Sequence, residues 1–231
     1  LEKMKSKCAI LFDLDGVLIE TELETFRFYQ DYLKKHHNIV LSDGAFRYKI
    51  GRKSKDFWHA ILTSSQRRDI DTAKITNLKR RLFNRYPARY IKRVPGVKNL
   101  LESLKKEGFS IALTSQNERK MVISVLRWLD IQVFFKFILS IDDIVHKKPH
   151  PEIYLKAAKR FKVAPSSCIV FEDSQDGIVA AKRAGMQCVA ISHSYTPKRS
   201  LIDADLIVSA IKDISLSRIK ILLKKGGSAR G

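Results

Sequence analysis

The sequence predicts an α/β protein: a parallel-sheet core with a helical domain inserted after the first strand. Three observations predict it. Short apolar runs bounded by turn residues alternate with longer stretches whose apolar residues repeat at helical spacing. Runs of that kind read as strands buried on both faces, as in parallel sheets, and their alternation with helices means right-handed βαβ connections. Between residues 20 and 89 the apolar runs disappear and only helical patterning remains.

The first strand is the run Cys8-Ala9-Ile10-Leu11-Phe12, which leads straight into Asp13-Leu14-Asp15-Gly16. In the inserted stretch Phe26, Tyr29 and Leu33 fall on one helical face, as do Leu78, Leu82 and Tyr86. Ser42-Asp43-Gly44 marks a turn there, and Gly51 separates two helical stretches. Val94-Pro95-Gly96 punctuates the return to the sheet. A helix with Val97, Leu100, Leu101 and Leu104 follows and closes at Gly108. Ser110–Ser115 reads as the second core strand, and Val122, Val125, Leu126 and Leu129 as the next helix. Phe137–Ser140 reads as the third strand. Pro151 opens a helix carrying Tyr154, Ala157, Ala158 and Phe161. The run from Ser167 ends in Glu172-Asp173, after which Ser174 is an N-cap candidate and Gly185 a helix end. Cys188–Ile191 and Leu206–Val208 read as two last strands, and residues 224–231 as a frayed basic tail. The expected domains are therefore a core of residues 1–19 and 90–231 and a helical domain of residues 20–89.

Composition bounds the function. With 231 residues, 45% of them hydrophobic, the chain can bury a real core, and no apolar run approaches the roughly 18 residues of a membrane span. The charged start reads as no signal peptide. Three cysteines, each opening a strand-like run, suit free thiols in a reducing cytoplasm. The net charge of +20 favours anionic partners. Its basic residues are spread along the chain with no aromatic-interleaved stripe. Nucleic acid, an anionic surface and phosphorylated metabolites are the partner classes that this balance leaves open.

Chemistry-bearing residues cluster at strand ends. Asp13 and Asp15, Thr114 and Ser115, and Glu172 and Asp173 each follow an apolar run, and Lys148 precedes the last of them. Parallel strands end on one edge, where ligands of open α/β sheets bind, so these groups can converge although they are distant in sequence. A bend at Gly16 lets both aspartates line one pocket. Two carboxylates so close repel unless a cation or a shared proton relieves them.

In these residues the chain resembles the haloacid dehalogenase-like hydrolase superfamily. Asp13-Leu14-Asp15-Gly16-Val17 looks like its first motif, Ser115 its second, Lys148-Pro149 its third, and Glu172-Asp173-Ser174 with Gly177 its fourth. The resemblance implies a Rossmann-like core with the helical cap of the phosphoglycolate phosphatase and β-phosphoglucomutase subgroup. It implies a nucleophilic Asp13, with Asp15 as the proton donor and acceptor. Mg²⁺ would be held by the Asp13 carboxylate, the Asp15 carbonyl and Asp173, with Glu172 binding directly, through water, or serving only as a capping acid. Ser115 and Lys148 would hold the phosphoryl group. Thr114, Gln116 and Asn117, together with Gly51, Arg52 and Lys53 of the cap, are the candidate substrate contacts. The dehalogenases of the superfamily lack the second acid, so phosphoryl transfer is expected here. The β-phosphoglucomutases carry a histidine at the start of the cap. This chain reads Glu20-Thr21-Glu22-Leu23-Glu24-Thr25 instead, which favours hydrolysis over a mutase reaction. A phosphatase of nucleic-acid ends and a non-catalytic basic binding module are the remaining alternatives.

Overall fold

A computed structural model describes residues 8–50 and 54–228. The chain divides into two compact units, one running up to Ile19 and resuming at Arg93, the other Glu20–Lys92. The return falls three residues later than the sequence suggests, because a short helix occupies Pro87–Tyr90 before the chain turns back.

In chain order the elements are β1 (Ala9–Phe12), β2 (Ile19–Glu20), α1 (Glu22–His37), α2 (Ser54–Ile61), α3 (Ser64–Asp69), α4 (Thr72–Arg85), α5 (Pro87–Tyr90) and β3 (Lys92–Arg93). The core continues with α6 (Val97–Lys106), β4 (Ser110–Thr114), α7 (Arg119–Leu129), β5 (Ile138–Leu139), α8 (Glu152–Phe161) and β6 (Cys168–Glu172). It closes with α9 (Gln175–Arg183), β7 (Gln187–Ile191), β8 (Leu206–Val208) and α10 (Leu216–Ser228). Strands β2 and β3 pair as a ribbon where the chain leaves the core and returns.

The core sheet has the order β5-β4-β1-β6-β7-β8, with every neighbouring pair parallel. Counting core strands alone this is 3-2-1-4-5-6, the Rossmann order, in which the winding reverses beside the first strand. That crevice lies between β1 and β6. Every residue of β1 and β6 is buried, as a parallel sheet covered on both faces requires. The rings of Phe12 and Phe171 stack across this pair at 4.6 Å. Fully burying a phenylalanine contributes about 1.5–3 kcal/mol, and the stack about 0.5–1.5 kcal/mol more.

The helical unit has its own core. Phe26, Tyr29 and Leu33 of α1 pack on Phe57, Trp58, Leu62, Ile70 and Ile75, and Tyr29 stacks on Phe57 at 5.5 Å. The expected α1 face is the buried one. The expected α4 face ends early: Ile75 and Phe83 are its buried residues, while Tyr86 lies beyond the helix as its C-cap and is 47% exposed. Leu78 and Leu82 are half-buried beside Ile75, so periodicity located that helix and its face but carried it one residue too far, to Tyr86. The other departure is α10, which extends to Ser228 through residues expected to fray. Ile219 and Leu222 on it are buried, so tertiary burial holds a helix whose two glycines argue against it. No helix among the described residues is long and apolar enough to cross a membrane.

Candidate active site

Strand register assembles the site. Phe12 pairs with both Leu113 and Phe171, so the next residue on each strand places Asp13 between Thr114 and Glu172. The Asp13 N–H donates to the Phe171 carbonyl at 3.0 Å, extending the ladder one step past β1. The chain then turns sharply at Gly16, whose φ is +70°, and closes on itself where the Gly16 N–H donates to the Ile19 carbonyl at 2.7 Å. A Cβ on Gly16 would lie 1.8 Å from Asp173 Oδ2. Glycine is therefore required twice, for the left-handed backbone and for the approach of the Asp173 carboxylate. Asp15 stands close enough to push the Asp13 carboxyl upward, and it accepts a hydrogen bond from Asn117 Nδ2.

Lys148 is buried beneath these acids. Its ammonium donates to Asp13 Oδ1 and to Glu172 Oε1, both at 2.6 Å. Glu172 is 1% exposed and saturated with donors. Tyr154 Oη donates to Oε1 at 2.8 Å, and the Asp173 and Ser174 N–H groups and the Ser174 hydroxyl donate to Oε2. Gly177 lets the start of α9 approach this carboxylate, since a Cβ there would fall 1.9 Å from it. The three charges respond differently. Burial pushes the Asp13 carboxyl up to about 7 against the pull of the Lys148 ammonium. Lys148 and the hydrogen bonds hold Glu172 below the usual carboxylate range in spite of its burial. The two carboxylates raise Lys148 well above the ordinary lysine value, outweighing its burial.

On the far side of Asp13, Ser115 is buried and accepts from the backbone N–H and the side-chain amide of Asn117, each at 3.2 Å. Gln116 Nε2, on the next residue, is buried with no hydrogen-bond partner among the described residues. Thr114, expected beside the substrate, is instead a tie between strands. It is fully buried and its hydroxyl donates to the Phe12 carbonyl at 3.2 Å. The expected Gly51, Arg52 and Lys53 lie outside the described residues.

Two members of the site were not expected. His193 follows β7 by two residues, and its Nε2 lies 2.8 Å from the Gly16 carbonyl and 3.9 Å from Asp173 Oδ2. A carbonyl only accepts, so Nε2 carries the proton and donates. The rule that located the other groups, polar residues just past a buried strand, applies equally to His193. Tyr154 has the helical spacing of a core residue, and a buried phenol's need for a partner was the available signal.

Asp13, Asp173 and the Asp15 carbonyl offer only oxygen, the donor set of a hard divalent cation such as Mg²⁺. The closeness of Asp173 to the Asp13–Gly16 turn, measured at Gly16, suits one ion reached from both segments.

The haloacid dehalogenase-like hydrolase family profile matches residues 10–191 of this chain, from β1 to the end of β7. The chain belongs to that family. A Thermotoga maritima protein described as a phosphorylated carbohydrates phosphatase is 28% identical to this hydrolase over 219 residues, covering 93% of the chain and 99% of that protein. Among solved structures, an Entamoeba histolytica hydrolase of the same superfamily superposes with a TM-score of 0.75 at 28% identity, over 94% of this chain and 99% of its own. The Rhodobacter sphaeroides CbbY protein, solved in complex with phosphate, superposes with a TM-score of 0.69 at 26% identity, over 87% and 93% of the two chains. The α/β Rossmann-like core expected from the sequence is the fold these structures share.

Proposed function

We propose that this hydrolase is a Mg²⁺-dependent phosphatase of small organic phosphates, working through a phosphoryl group carried on Asp13. The observation that carries the reading is the contrast between two buried carboxylates on one lysine. Glu172 has both oxygens committed, whereas Asp13 has, among the described residues, a single side-chain donor, on Oδ1. The other oxygen of Asp13 is the one to attack phosphorus. Glu172 then serves to hold Lys148, which leaves Asp13, the Asp15 carbonyl and Asp173 as the ligands of the ion.

Attack by the Asp13 carboxylate splits one difficult hydrolysis into two easier displacements. Lys148 stays beside the carboxylate as positive charge for the phosphoryl oxygens, fixed by Glu172 so that little reorganises as charge develops. Ser115 and the Gln116 amide supply donors on the opposite side. Asp15, held by Asn117, gives its proton to the leaving oxygen and then takes one from the attacking water, a role typically contributing 10²–10⁴-fold. When bound, Mg²⁺ neutralises charge on the transferring phosphoryl group. The absence of a second acid in dehalogenases, and its presence here as Asp15, separates this chemistry from theirs.

Substrates of the phosphoglycolate or sugar-phosphate kind fit a site with one phosphoryl-binding edge, and the Thermotoga relative's phosphorylated carbohydrates are of that class. The test is phosphate release from a panel of small phosphate esters, with Mg²⁺ and with EDTA. Expected is turnover that EDTA abolishes and that Asp13→Ala lacks. Release that survives either one overturns the reading. Activity confined to nucleic-acid ends and falling steeply with salt would move the substrate to that class.

A further inference from the structure

We propose that His146, His150 and Glu152 form a second metal site, for a borderline divalent cation of the Zn²⁺ kind, on the outer side of the turn that presents Lys148. One ligating atom from each of the three lies within 4.8 Å of the other two. The two imidazoles flank the turn, which is closed by the His150 N–H donating to the Lys147 carbonyl at 2.9 Å, and their rings face each other at 4.5 Å. Tetrahedral zinc binds nitrogen and oxygen at about 2.0–2.2 Å, which sets its ligand atoms about 3.4 Å from one another.

Neighbouring contacts already prepare the ligands. Glu152 opens α8, and its carboxylate is fixed by the N–H groups of Val145 at 3.1 Å and His146 at 2.7 Å. Lys156 and these backbone donors favour its anionic form. His146 Nδ1 lies 3.1 Å from Glu152 Oε2, and an ion between them takes the nitrogen lone pair and the carboxylate oxygen in place of this hydrogen bond. His150 Nδ1 accepts from the Glu152 N–H at a long 3.3 Å, a contact that a metal bond replaces. Imidazole nitrogen favours Zn²⁺ over Mg²⁺, which takes oxygen. The ammonium of Lys156 lies 2.6 Å from Glu152 Oε1, a single positive charge that a divalent ion displaces. Nothing in this site depends on the chemistry proposed for Asp13. Its consequence is local: an ion bridging positions 146, 150 and 152 clips the turn that carries Lys148.

The test is titration of the tag-free chain with Zn²⁺ by calorimetry, and with Co²⁺ by visible absorption, in excess Mg²⁺. Expected is one equivalent bound and a rise in Tm with Zn²⁺. His146→Asn and His150→Asn each weaken binding by about tenfold or more, with far-UV circular dichroism unchanged because both side chains are at the surface. Lys156→Met tightens binding by removing the competing charge, an effect that a purely structural Glu152 would not produce. Asp13→Asn leaves the titration as it was, separating this site from the phosphatase reading. Wild-type affinity in either histidine variant, or no uptake of either ion, overturns the proposal.

Discussion

Two strand ends lie side by side in this protein, each closing on a buried carboxylate that shares the same lysine, yet their fates differ. At the end of β6, Glu172 receives five donors and is held ionised. At the end of β1, Asp13 receives one side-chain donor among the described residues and is pushed toward neutrality by burial. Saturation makes a carboxylate an anchor, and incomplete satisfaction in a dry place makes it reactive, because a buried charge without partners is costly until something binds it. The lysine between them is fixed by the first for use by the second.

The comparison breaks most visibly under substitution. Asp13→Asn is expected to lower kcat by at least about 10⁴-fold, as loss of a nucleophile does, while Tm is kept or raised, since a crowded buried acid is gone. Glu172→Gln should show the reverse emphasis. Removing one partner of a buried ion pair destabilises by about 3–5 kcal/mol, read as a fall in Tm, and activity drops because Lys148 loses its second hold. If both variants change kcat and Tm alike, the division of labour is wrong.

A smaller effect comes from Gly16→Ala. Left-handed backbone and the Asp173 contact together are expected to cost about 1–3 kcal/mol, and a Mg²⁺ titration of activity should move its midpoint upward. Serine in place of Gly177 probes the other strand end in the same way, and it should lower Tm without moving that midpoint.

The subtlest difference is in pH. Unfolded aspartate releases its proton near 4, whereas native Asp13 keeps it to about 7. Its contribution to stability is therefore full below about pH 4 and lost as pH rises through about 7. Glu172, held low, contributes in the opposite sense, above the ordinary glutamate range, and its share is lost on acidification. Metal-free Tm should thus decline between pH 5 and 8 in the wild type and less so in Asp13→Asn. Mg²⁺ should restore more at pH 8 than at pH 5. Equal slopes in the two proteins would remove burial of Asp13 as the cause.

Local pattern carried the sequence reading furthest where one property decides one outcome. An apolar run ending in acids gave β1 and β6, and helical spacing gave the buried face of α1, because burial acts on each residue separately. It went astray at the end of α4, where Ile75 and Phe83 are buried and Tyr86 is the exposed C-cap. It passed over His193 and Tyr154, whose roles arise from partners 177 and 18 residues away in the chain.

By itself, then, the sequence determined the alternation of strands and helices, the interruption by a helical unit and the cluster of acids, hydroxyl and lysine at strand ends. Which acid is satisfied and which is left reactive was decided only in three dimensions. Glutamate and aspartate are chemically alike, and it is the number of donors that the fold delivers to each, set by register at β1 and β6 and by the approach of α9 through Gly177, that makes them differ.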